Sequence, residues 1–520
     1  MWALPCFLSR TVVDRGLGRI APTFGYSVKG IMQKLSNETL AILPASVARP
    51  AYDRGRVKVG IVHFGVGGFH RAHQAMYLDR LMNQGEALDW GICGVGIMPA
   101  DRRMRDVLRS QDGLYTLIVK HPDGRHDARV IGSIVDYRYA PDDPEAVIEL
   151  MAAPSTRIVS LTITEGGYNF HHVTGEFNFD NPDVVHDLRE SAVPRTAFGL
   201  ITEALHRRRT RGVAPFTVAS CDNIQGNGVV ARRMVSAFAS RKNPELGEWI
   251  GSFVTFPNAM VDRITPVTSK EDIAEVAERF GIGDAWPVVC EPFTQWVVED
   301  HFPSGRPAYE HVGAQMVQNV APYELMKLRL LNVSHQALAY LGYLSGYRYA
   351  HEVARDAFFA KFVLNYMVME ATPTLEPVPG VELDDYRRTL IARFANPEIR
   401  DTLARLCAES SDRIPKWMLP IIRAQLASGG GISRCAAVVA GWARYAEGRD
   451  EQGRPIEVVD PLRDKLMAFA AHNRENITAF LENREVFGDL IDQPRFVEAY
   501  REALTSLHTV GALATVRRYC

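Results

Sequence analysis

The segment at residues 323–335 carries three polar side chains whose types and spacing suit chemistry in a cleft. At ~100° per residue along an α-helix, Asn332 lies about 140° and His335 about 80° from Lys327, so one broad face holds all three. Leucines fill three of the four positions between Lys327 and Asn332, which predicts a largely buried helix. A buried amine, amide and imidazole need partners or a chemical task. The alternative is a lysine that reaches the surface and a satisfied core histidine.

A glycine-rich turn, Gly65-Val66-Gly67-Gly68-Phe69-His70, follows a strand predicted at residues 57–64 and precedes helical spacing at residues 69–84. Glycines at such a junction let backbone N–H groups approach a pyrophosphate, and the helix dipole favours the anion there. His70 stands where the usual fingerprint has its third glycine, and an ordinary turn is the other interpretation. The residues expected to bind a dinucleotide are Gly65, Gly67, Gly68 and Phe69.

An acidic residue follows the second predicted strand, at residues 91–96. In dinucleotide-binding folds an acid at this place holds the ribose hydroxyls, so Asp101 is the candidate, although it lies farther along the chain than usual. Arg102 and Arg103 beside it could accept a 2′-phosphate. The sequence therefore favours NAD and leaves NADP open. The other interpretation of Asp101 is the N-cap of a helix.

Polar residues also follow other apolar runs, and the carboxyl ends of parallel strands are where open sheets bind ligands. Thr164-Glu165-Gly166-Gly167 follows the strand predicted at residues 158–163, and Ser220-Cys221-Asp222-Asn223 follows the one at residues 216–219. In the second group the Asn223 side chain could donate an N–H to a polarised oxygen, or it could be a turn residue. Asp262 and Arg263 follow a further apolar run, where a surface ion pair is the alternative.

The elements that must position these residues fall into two halves. Up to about residue 320, short apolar or β-branched runs alternate with helical patterns, which predicts a mostly parallel, covered sheet. Beyond it, long helical patterns dominate. We therefore predict an α/β Rossmann-like N-terminal domain at residues 56–320 and a mostly α-helical C-terminal domain at residues 321–520. Residues 1–55 are predicted to form an N-terminal extension with a short helix at residues 37–43.

Further elements are predicted from the same patterns. In the first half, strands are predicted at residues 130–135, 158–163 and 216–219, and helices at residues 144–152 and 195–209. In the second half, helices are predicted at residues 323–343, 358–369, 383–394, 397–409, 415–427, 435–445, 461–473 and 496–508.

The composition excludes several classes of function. The 520 residues carry 59 Lys+Arg against 61 Asp+Glu, a net charge of −2 without a basic block, which argues against a nucleic-acid partner. A run of about 18 uncharged apolar residues, as a membrane span needs, does not occur in the sequence. We expect a small-molecule substrate as the partner, and the sequence gives no oligomeric state.

The cysteines and histidines bear on the compartment and on metals. The 7 cysteines are scattered and form no Cys-x-x-Cys pair, which is typical of a reducing compartment and predicts a cytoplasmic protein. The tight histidine pairs are His70 with His73 and His171 with His172, and neither has the ligand spacing that zinc usually needs. The apolar opening at residues 2–8 is too short for a secretory signal, and Met32 offers an alternative start.

Several separated motifs, taken in order, resemble the polyol-specific long-chain dehydrogenases over nearly all of the chain from about Lys34. One of these five motifs is the spacing of Lys327, Asn332 and His335. The other four stretches are Gly65-Val66-Gly67-Gly68-Phe69-His70-Arg71-Ala72-His73, Ser160-Leu161-Thr162-Ile163-Thr164-Glu165-Gly166-Gly167-Tyr168, Ser220-Cys221-Asp222-Asn223 and Phe256-Pro257-Asn258-Ala259-Met260-Val261-Asp262-Arg263-Ile264-Thr265-Pro266.

The resemblance implies a metal-independent, NAD-linked oxidation of a secondary alcohol on a linear polyol. It implies that Lys327 is the general base and that Asn223 and Asn332 donate to the oxyanion. The residues implied to bind substrate hydroxyls are His335, Asp262 and Arg405. A lysine with an ordinary pKa near 10.4 is charged at neutral pH, so we expect burial, Arg405, Arg413 and the NAD ring to lower the pKa of this base. Glu324, one helical turn earlier, is placed to relay the proton outward.

The substrate pair implied by the resemblance is D-mannitol and D-fructose, with one departure from the family pattern. Arg413, in the stretch at residues 409–415, stands where a substrate-contacting lysine is expected, and a planar guanidinium is not equivalent to an ammonium. Because Arg413 suits a carboxylate, fructuronate reduction stays an alternative, as does D-arabinitol oxidation. A non-catalytic nucleotide sensor with this fold is a further alternative, but it would be expected to lose the lysine.

Overall fold

The computed structural model describes residues 32–170 and 175–520. Their first part is an α/β region and the rest is mainly helical, which confirms the predicted fold class. Within these residues the strands are β1 (Gln33–Lys34), β2 (Val59–Phe64), β3 (Gly91–Gly96), β4 (Tyr115–Lys120), β5 (His126–Ile131), β6 (Ile134–Tyr139), β7 (Ile158–Leu161), β8 (Thr217–Ser220), β9 (Ala259–Asp262), β10 (Ile282–Gly283), β11 (Val288–Cys290), β12 (Gln295–Glu299) and β13 (Gln315–Val317).

The main sheet has five parallel strands in the order β6-β3-β2-β7-β8. Helices cover both of its faces, as the continuous apolar runs of its strands require. Along β2 the side chains alternate between two cores, with Ile61 on one side and Val62 and Phe64 on the other. The helices of this region are α1 (Gly68–Ala72), α2 (Gln74–Asn83), α3 (Asp101–Ser110), α4 (Pro144–Ala152), α5 (Thr164–Gly167), α6 (Pro182–Asp187), α7 (Ala197–Thr210), α8 (Asn227–Lys242), α9 (Pro244–Phe253) and α10 (Lys270–Phe280).

Two three-stranded sheets, β11-β4-β5 and β13-β12-β9, were not predicted. The single strand predicted at residues 130–135 is wrong, because β5 ends at Ile131 and β6 begins at Ile134 in another sheet. Between them the Gly132 N–H donates to Asp79 at 3.0 Å and the Gly132 carbonyl accepts from Arg54 at 3.0 Å. These bonds fix a corner inside an apolar run that reads as one strand.

The predicted extension at residues 1–55 is in part a component of the α/β region. Residues 1–31 lie outside the described part of the chain. From residue 33 onward, β1 pairs with β10, and Leu35, Leu43 and Val47 are buried in a shared core. The helix predicted at residues 37–43 is only a 3-10 turn, Leu40–Ile42.

Helices pack around the buried α19 in the second region. The helix predicted at residues 397–409 is wrong, because Thr402 caps a new helix there by accepting the Arg405 N–H at 3.3 Å. The α-helices are α11 (Ala321–Lys327), α12 (Val333–Leu344), α13 (Ala350–Arg355), α14 (Ala357–Tyr366), α15 (Leu383–Phe394), α16 (Leu403–Cys407), α17 (Ser410–Trp417), α18 (Leu419–Ser428), α19 (Ser433–Ala446), α20 (Arg463–Ala470), α21 (Arg484–Phe487), α22 (Pro494–Val510) and α23 (Ala512–Arg518).

Short turns of other helix types complete the described chain. The 3-10 turns are Leu40–Ile42, Arg54–Arg56, Tyr309–Val312, Thr372–Thr374, Pro397–Ile399, Ala479–Glu482 and Leu490–Asp492, and the π-helical turns are Leu328–Asn332 and Met367–Ala371. Among the helices at residues 32–170 and 175–520, none is long and apolar enough to cross a membrane.

Candidate active site

Lys327 lies at the end of α11 and is only 7% exposed, so the interpretation as a surface lysine is wrong. Its Nζ donates a hydrogen bond to Asn223 Oδ1. Asn223 is exposed in the loop that follows β8, at the carboxyl end of the main sheet. The amine of the helical region therefore meets an amide of the sheet region at the edge where parallel sheets bind ligands.

A π-helical turn, Leu328–Asn332, joins α11 to α12, so the predicted continuous α-helix is wrong at this point. In it the Val333 N–H donates to the Leu328 carbonyl, the i→i+5 bond of a π-helix. Because Asn332 is five residues after Lys327, this turn brings the two side chains onto one face rather than about 140° apart. Among the described residues, Asn332 Oδ1 is buried without a hydrogen-bond partner.

Burial is the main reason why the pKa of the Lys327 amine is lowered from its ordinary value. The Asp262 and Glu324 carboxylates oppose the shift, whereas the Arg393 guanidinium adds to it. The prediction that Arg405 and Arg413 act on this amine is wrong, because the cation that does so is Arg393 on α15. Arg393 was missed because one arginine in an amphipathic helix carries no sequence signal.

Asp262 and Arg263 are both buried, so a surface ion pair between them is wrong. Asp262 accepts two hydrogen bonds from Arg393, each at 2.8 Å. Burial alone would raise the pKa of the Asp262 carboxyl, but Arg393 outweighs it and holds that pKa below its usual value. Arg263 instead donates to the backbone carbonyls of Ala72 and Glu291. Asp262 is thus an ionised acceptor at the end of β9.

His335, Arg405 and Arg413 lie on α12, α16 and α17. The His335 ring packs on Phe394, with 4.7 Å between ring centroids, and burial lowers its pKa to about 4. Arg405 is exposed and bonds to Asp401 at 2.7 Å and 2.5 Å. Arg413 bonds to Glu409 at 2.7 Å, and its Nη1 lies 3.4 Å from the Arg405 carbonyl oxygen. His335 is therefore neutral at pH 7, and both guanidiniums already have a carboxylate partner.

Glu324 is buried on α11 beside the start of α8. Its carboxylate accepts the Gly226 N–H at 3.1 and 3.3 Å. Burial raises the pKa of this carboxyl to about 7. Glu324 can therefore both take up and release a proton near neutral pH, which is what a relay requires.

The glycine-rich turn follows β2. Gly65 has φ +86°, and a Cβ there would lie 2.1 Å from the Thr162 carbonyl oxygen, so this position admits only glycine. A Cβ added at Gly67 would lie 3.9 Å from the nearest atom, and one added at Gly68 would lie 3.5 Å from it. The backbone of these two residues is therefore accessible to a ligand. His70, at the place of the usual third glycine, turns inward and stacks on the His63 ring at 3.4 Å.

Residues next to this turn are placed as follows. The Phe69 ring stacks on His73 at 4.8 Å. Asp101 is the first residue of α3. Its Oδ2 accepts the N–H groups of Ile97 and Met98 at 2.9 and 2.8 Å, which fixes the backbone just after β3. Beside it, Arg103 lies over the Trp286 ring at 4.3 Å. Asp101 thus lies just after β3, and its carboxylate is already hydrogen-bonded to the backbone.

Thr164 has left-handed backbone, φ +60°, which is unusual for a β-branched residue and which no sequence pattern reveals. The buried Asp222 holds this conformation by accepting the Ile163 and Thr164 N–H groups at 3.1 and 2.8 Å, and the Tyr168 hydroxyl at 2.9 Å. Burial raises the pKa of Asp222 to about 6. Asp222 therefore fixes the loop beside Asn223.

Metal-ligating groups are scattered. No group of three or more histidine, cysteine or acidic side chains that could hold a metal ion occurs within residues 32–170 and 175–520. Of the histidine pairs, His70 is stacked on His63, and His73 Nε2 bonds to the Gln295 carbonyl oxygen at 3.1 Å. His171 and His172 lie outside the described residues.

Comparison with known proteins adds two family matches and several close relatives. Residues 59–311 match the family described as the mannitol dehydrogenase Rossmann domain, and residues 319–508 match the mannitol dehydrogenase C-terminal domain. A mannitol 2-dehydrogenase of Phaeosphaeria nodorum is 49% identical over 94% of this chain and 85% of its own length. One from Aspergillus fumigatus is 48% identical over 94% of this chain and 99% of its own.

Two solved structures are also similar to this chain. Pseudomonas fluorescens mannitol 2-dehydrogenase, in ternary complex with NAD and D-mannitol, is 46% identical and superimposes with a TM-score of 0.84 over 94% of this chain and 99% of that one. A D-sorbitol dehydrogenase in substrate-free form is 37% identical, with a TM-score of 0.86 over 93% of this chain and all of that one. The two domain matches together cover most of the sequence. The chain therefore belongs to the mannitol dehydrogenase family of oxidoreductases.

Proposed function

We propose that this protein is an NAD-dependent dehydrogenase that reversibly oxidises D-mannitol at C2 to D-fructose, with Lys327 as the general base and without a metal ion. The observation that carries the proposal is the buried Lys327 amine, which is hydrogen-bonded to Asn223 at the carboxyl end of the main sheet. The relatives named mannitol 2-dehydrogenase, and the solved complex of one of them with NAD and D-mannitol, support the choice of substrate and cofactor.

The glycine-rich turn fits NAD. Gly65 packs against the backbone at Thr162, and no atom crowds the side of Gly67 or Gly68 on which a Cβ would stand, so their N–H groups can approach a pyrophosphate. Asp101 stands at the end of β3, where the ribose hydroxyls would lie, and its charge would repel a 2′-phosphate. When bound, the nicotinamide ring accepts the hydride that leaves C2.

Lys327 removes the hydroxyl proton, and the amides stabilise the oxygen. An amine must be neutral to act as a base, and its burial favours that form. Because Asn223 Oδ1 accepts from Lys327, the Asn223 NH₂ group is left to donate elsewhere. Asn332, aligned by the π-helical turn, supplies a second amide. Each donor stabilises the developing alkoxide by about 3 kcal/mol in a dry site.

Charged and neutral side chains of both regions bind the remaining hydroxyls. Asp262 is ionised and accepts hydrogen bonds, and the neutral His335 imidazole can donate or accept. Arg405 and Arg413 supply donors from the helical region. After the chemical step Glu324, with a pKa of about 7, passes the proton from Lys327 toward solvent beside Gly226.

The state of Arg413 bears on the alternative substrates. Its bond to Glu409 already compensates its charge, so a uronate carboxylate would have to displace that partner. This favours an uncharged polyol over fructuronate. D-arabinitol and D-sorbitol are uncharged as well, and they are separated from D-mannitol by assay.

A panel of polyols and ketoses assayed with NAD and NADP tests the proposal. We expect turnover of D-mannitol and D-fructose with NAD(H), and a loss of at least about a thousandfold in kcat for Lys327→Ala. Lys416→Ala, an exposed lysine paired with Asp412, is the matched control and should keep wild-type rates. Full turnover by Lys327→Ala would refute the mechanism, whereas a preference for D-arabinitol, D-sorbitol or a uronate would change only the substrate.

A further inference from the structure

The last turn of α15 touches two residues placed in the substrate site. Arg393 crosses from the helical region to bond both oxygens of Asp262, at 2.8 Å each. The next residue, Phe394, packs on the His335 ring. Arg393 itself is 7% exposed and lies over the Phe293 ring at 3.9 Å. This turn is thus buried behind the site and supports both side chains.

A second carboxylate completes the arrangement. Glu291 accepts from Arg393 at 3.0 and 2.7 Å, and it also accepts the Ile264 N–H at 2.6 Å. Because a guanidinium is planar, two paired bonds to Asp262 and two to Glu291 fix the plane of both carboxylates. Each Asp262 oxygen accepts one hydrogen bond from Arg393 and can accept another from a substrate hydroxyl. The orientation of Asp262 is therefore set from behind.

Arg393 also acts on the charge at Lys327. The groups that face this amine are Glu324 on its own helix, Asp262 on β9, Arg393 on α15 and His73 between α1 and α2. Burial lowers the pKa of His73 to about 3, so this ring is neutral. The two carboxylates stabilise an ammonium, and Arg393 is the cation that opposes them. Without it, the base would hold its proton to higher pH.

We propose that Arg393 is a positioning residue of the dehydrogenase site: it orients the Asp262 carboxylate for a substrate hydroxyl and offsets the negative charge that Asp262 places beside Lys327. The proposal rests on the proposed function, in which Lys327 is the base. It assigns two separable tasks to one side chain, namely a geometric task that needs the planar fork and an electrostatic task that needs only the charge.

Two variants separate these tasks. In Arg393→Met, which loses both, the acid limb of kcat/KM for D-mannitol oxidation should move upward by about one pH unit, because Asp262 then acts unopposed on Lys327. KM for D-mannitol should rise as well. In Arg393→Lys, which keeps the charge, the acid limb should stay near its wild-type pH while KM rises about tenfold.

The control is Arg306→Met. Arg306 likewise bridges two carboxylates, Asp300 at 2.7 Å and Glu310 at 2.7 Å, but it is not among the groups that act on Lys327. It should leave the pH profile and KM unchanged, with thermal unfolding recorded for every variant. If Arg393→Met does not fold, Arg393→Lys alone decides the geometric task.

The outcomes separate this proposal from the proposed function. A wild-type enzyme that turns over no polyol or ketose of the panel, or full activity of Lys327→Ala, would overturn the proposed function. If the wild type is active but Arg393→Lys has wild-type KM, or Arg393→Met has an unshifted acid limb, the positioning role is refuted. A lower melting temperature with neither kinetic change would likewise refute it and leave Arg393 a purely structural ion pair.

Discussion

Alanine substitutions in the glycine-rich turn should separate a folding requirement from a binding requirement. At Gly65 an added Cβ would stand 2.1 Å from the Thr162 carbonyl oxygen, in left-handed backbone. Left-handed backbone costs an L-residue about 1 to 2 kcal/mol, and overpacking adds about 1 to 3 kcal/mol. Gly65→Ala should therefore destabilise the protein by about 2 to 5 kcal/mol and abolish NADH binding.

Two other glycines serve as matched controls. Gly124 also has left-handed backbone, φ +81°, but a Cβ there would have no atom within 4 Å, so Gly124→Ala should lose only about 1 to 2 kcal/mol and bind NADH normally. Gly67 has φ −92° and open space, so Gly67→Ala should fold with wild-type stability. Its methyl group should nevertheless obstruct the pyrophosphate and raise Kd for NADH at least about tenfold.

Urea unfolding and NADH fluorescence titration measure the two quantities independently. The decisive result is that for Gly67→Ala. If this variant binds NADH as tightly as the wild type, the cofactor does not approach this backbone and the assigned role of the turn is refuted. If Gly65→Ala is no less stable than Gly124→Ala, the close approach to Thr162 does not constrain the fold.

Three further predictions concern carboxylates. Glu324→Gln should lower kcat for oxidation near pH 7 about tenfold, with partial rescue by small buffer bases. It should also move the acid limb of the pH profile downward, because the Glu324 anion raises the pKa of Lys327. An unchanged rate would contradict the relay. The pKa of Asp222, about 6, lies above the ordinary 3.8, so its ionisation makes the fold less stable as pH rises from about 4 to about 6, by up to ~3 kcal/mol. Asp222→Asn should remove this pH dependence of the free energy of unfolding, measured in urea. An unaltered slope would count against the raised pKa of Asp222. Asp101→Ser should reduce the ratio of kcat/KM with NAD to that with NADP at least about tenfold, and a constant ratio would remove Asp101 from the ribose site.

The fold class followed from the sequence because hydrophobic periodicity reports which face of an element is buried. The strand at Gly91–Gly96 and the helices at Pro144–Ala152 and Leu383–Phe394 have the predicted bounds. The corner at Gly132 was missed because hydrogen bonds between Gly132 and two residues distant in sequence, the acceptor Asp79 and the donor Arg54, create it. The small sheets were missed in part because β11 pairs with β4, and β12 with β9, across long separations in the sequence.

For the candidate site, residue types predicted more than geometry did. Lys327, Asn223 and Asn332 were identified as candidates, and the structure brings Lys327 and Asn223 into contact. Their surroundings could not be read from the chain, because Arg393 is 131 residues from its partner Asp262. The left-handed backbone of Thr164 could not be predicted either, because a hydrogen bond to Asp222 imposes it. Long-range ion pairs and strained backbone leave no local pattern.

The extra residue in the turn Leu328–Asn332 makes the site sensitive to helical phase. Shortening this turn by one residue would leave every functional side chain in the sequence, yet would rotate all that follows by about 100° relative to Lys327. The turn is held open in part by the Tyr366 hydroxyl, which donates to the Arg329 carbonyl at 2.6 Å. A one-residue deletion in this turn should therefore disable the enzyme even though Lys327 and Asn332 both remain in the sequence.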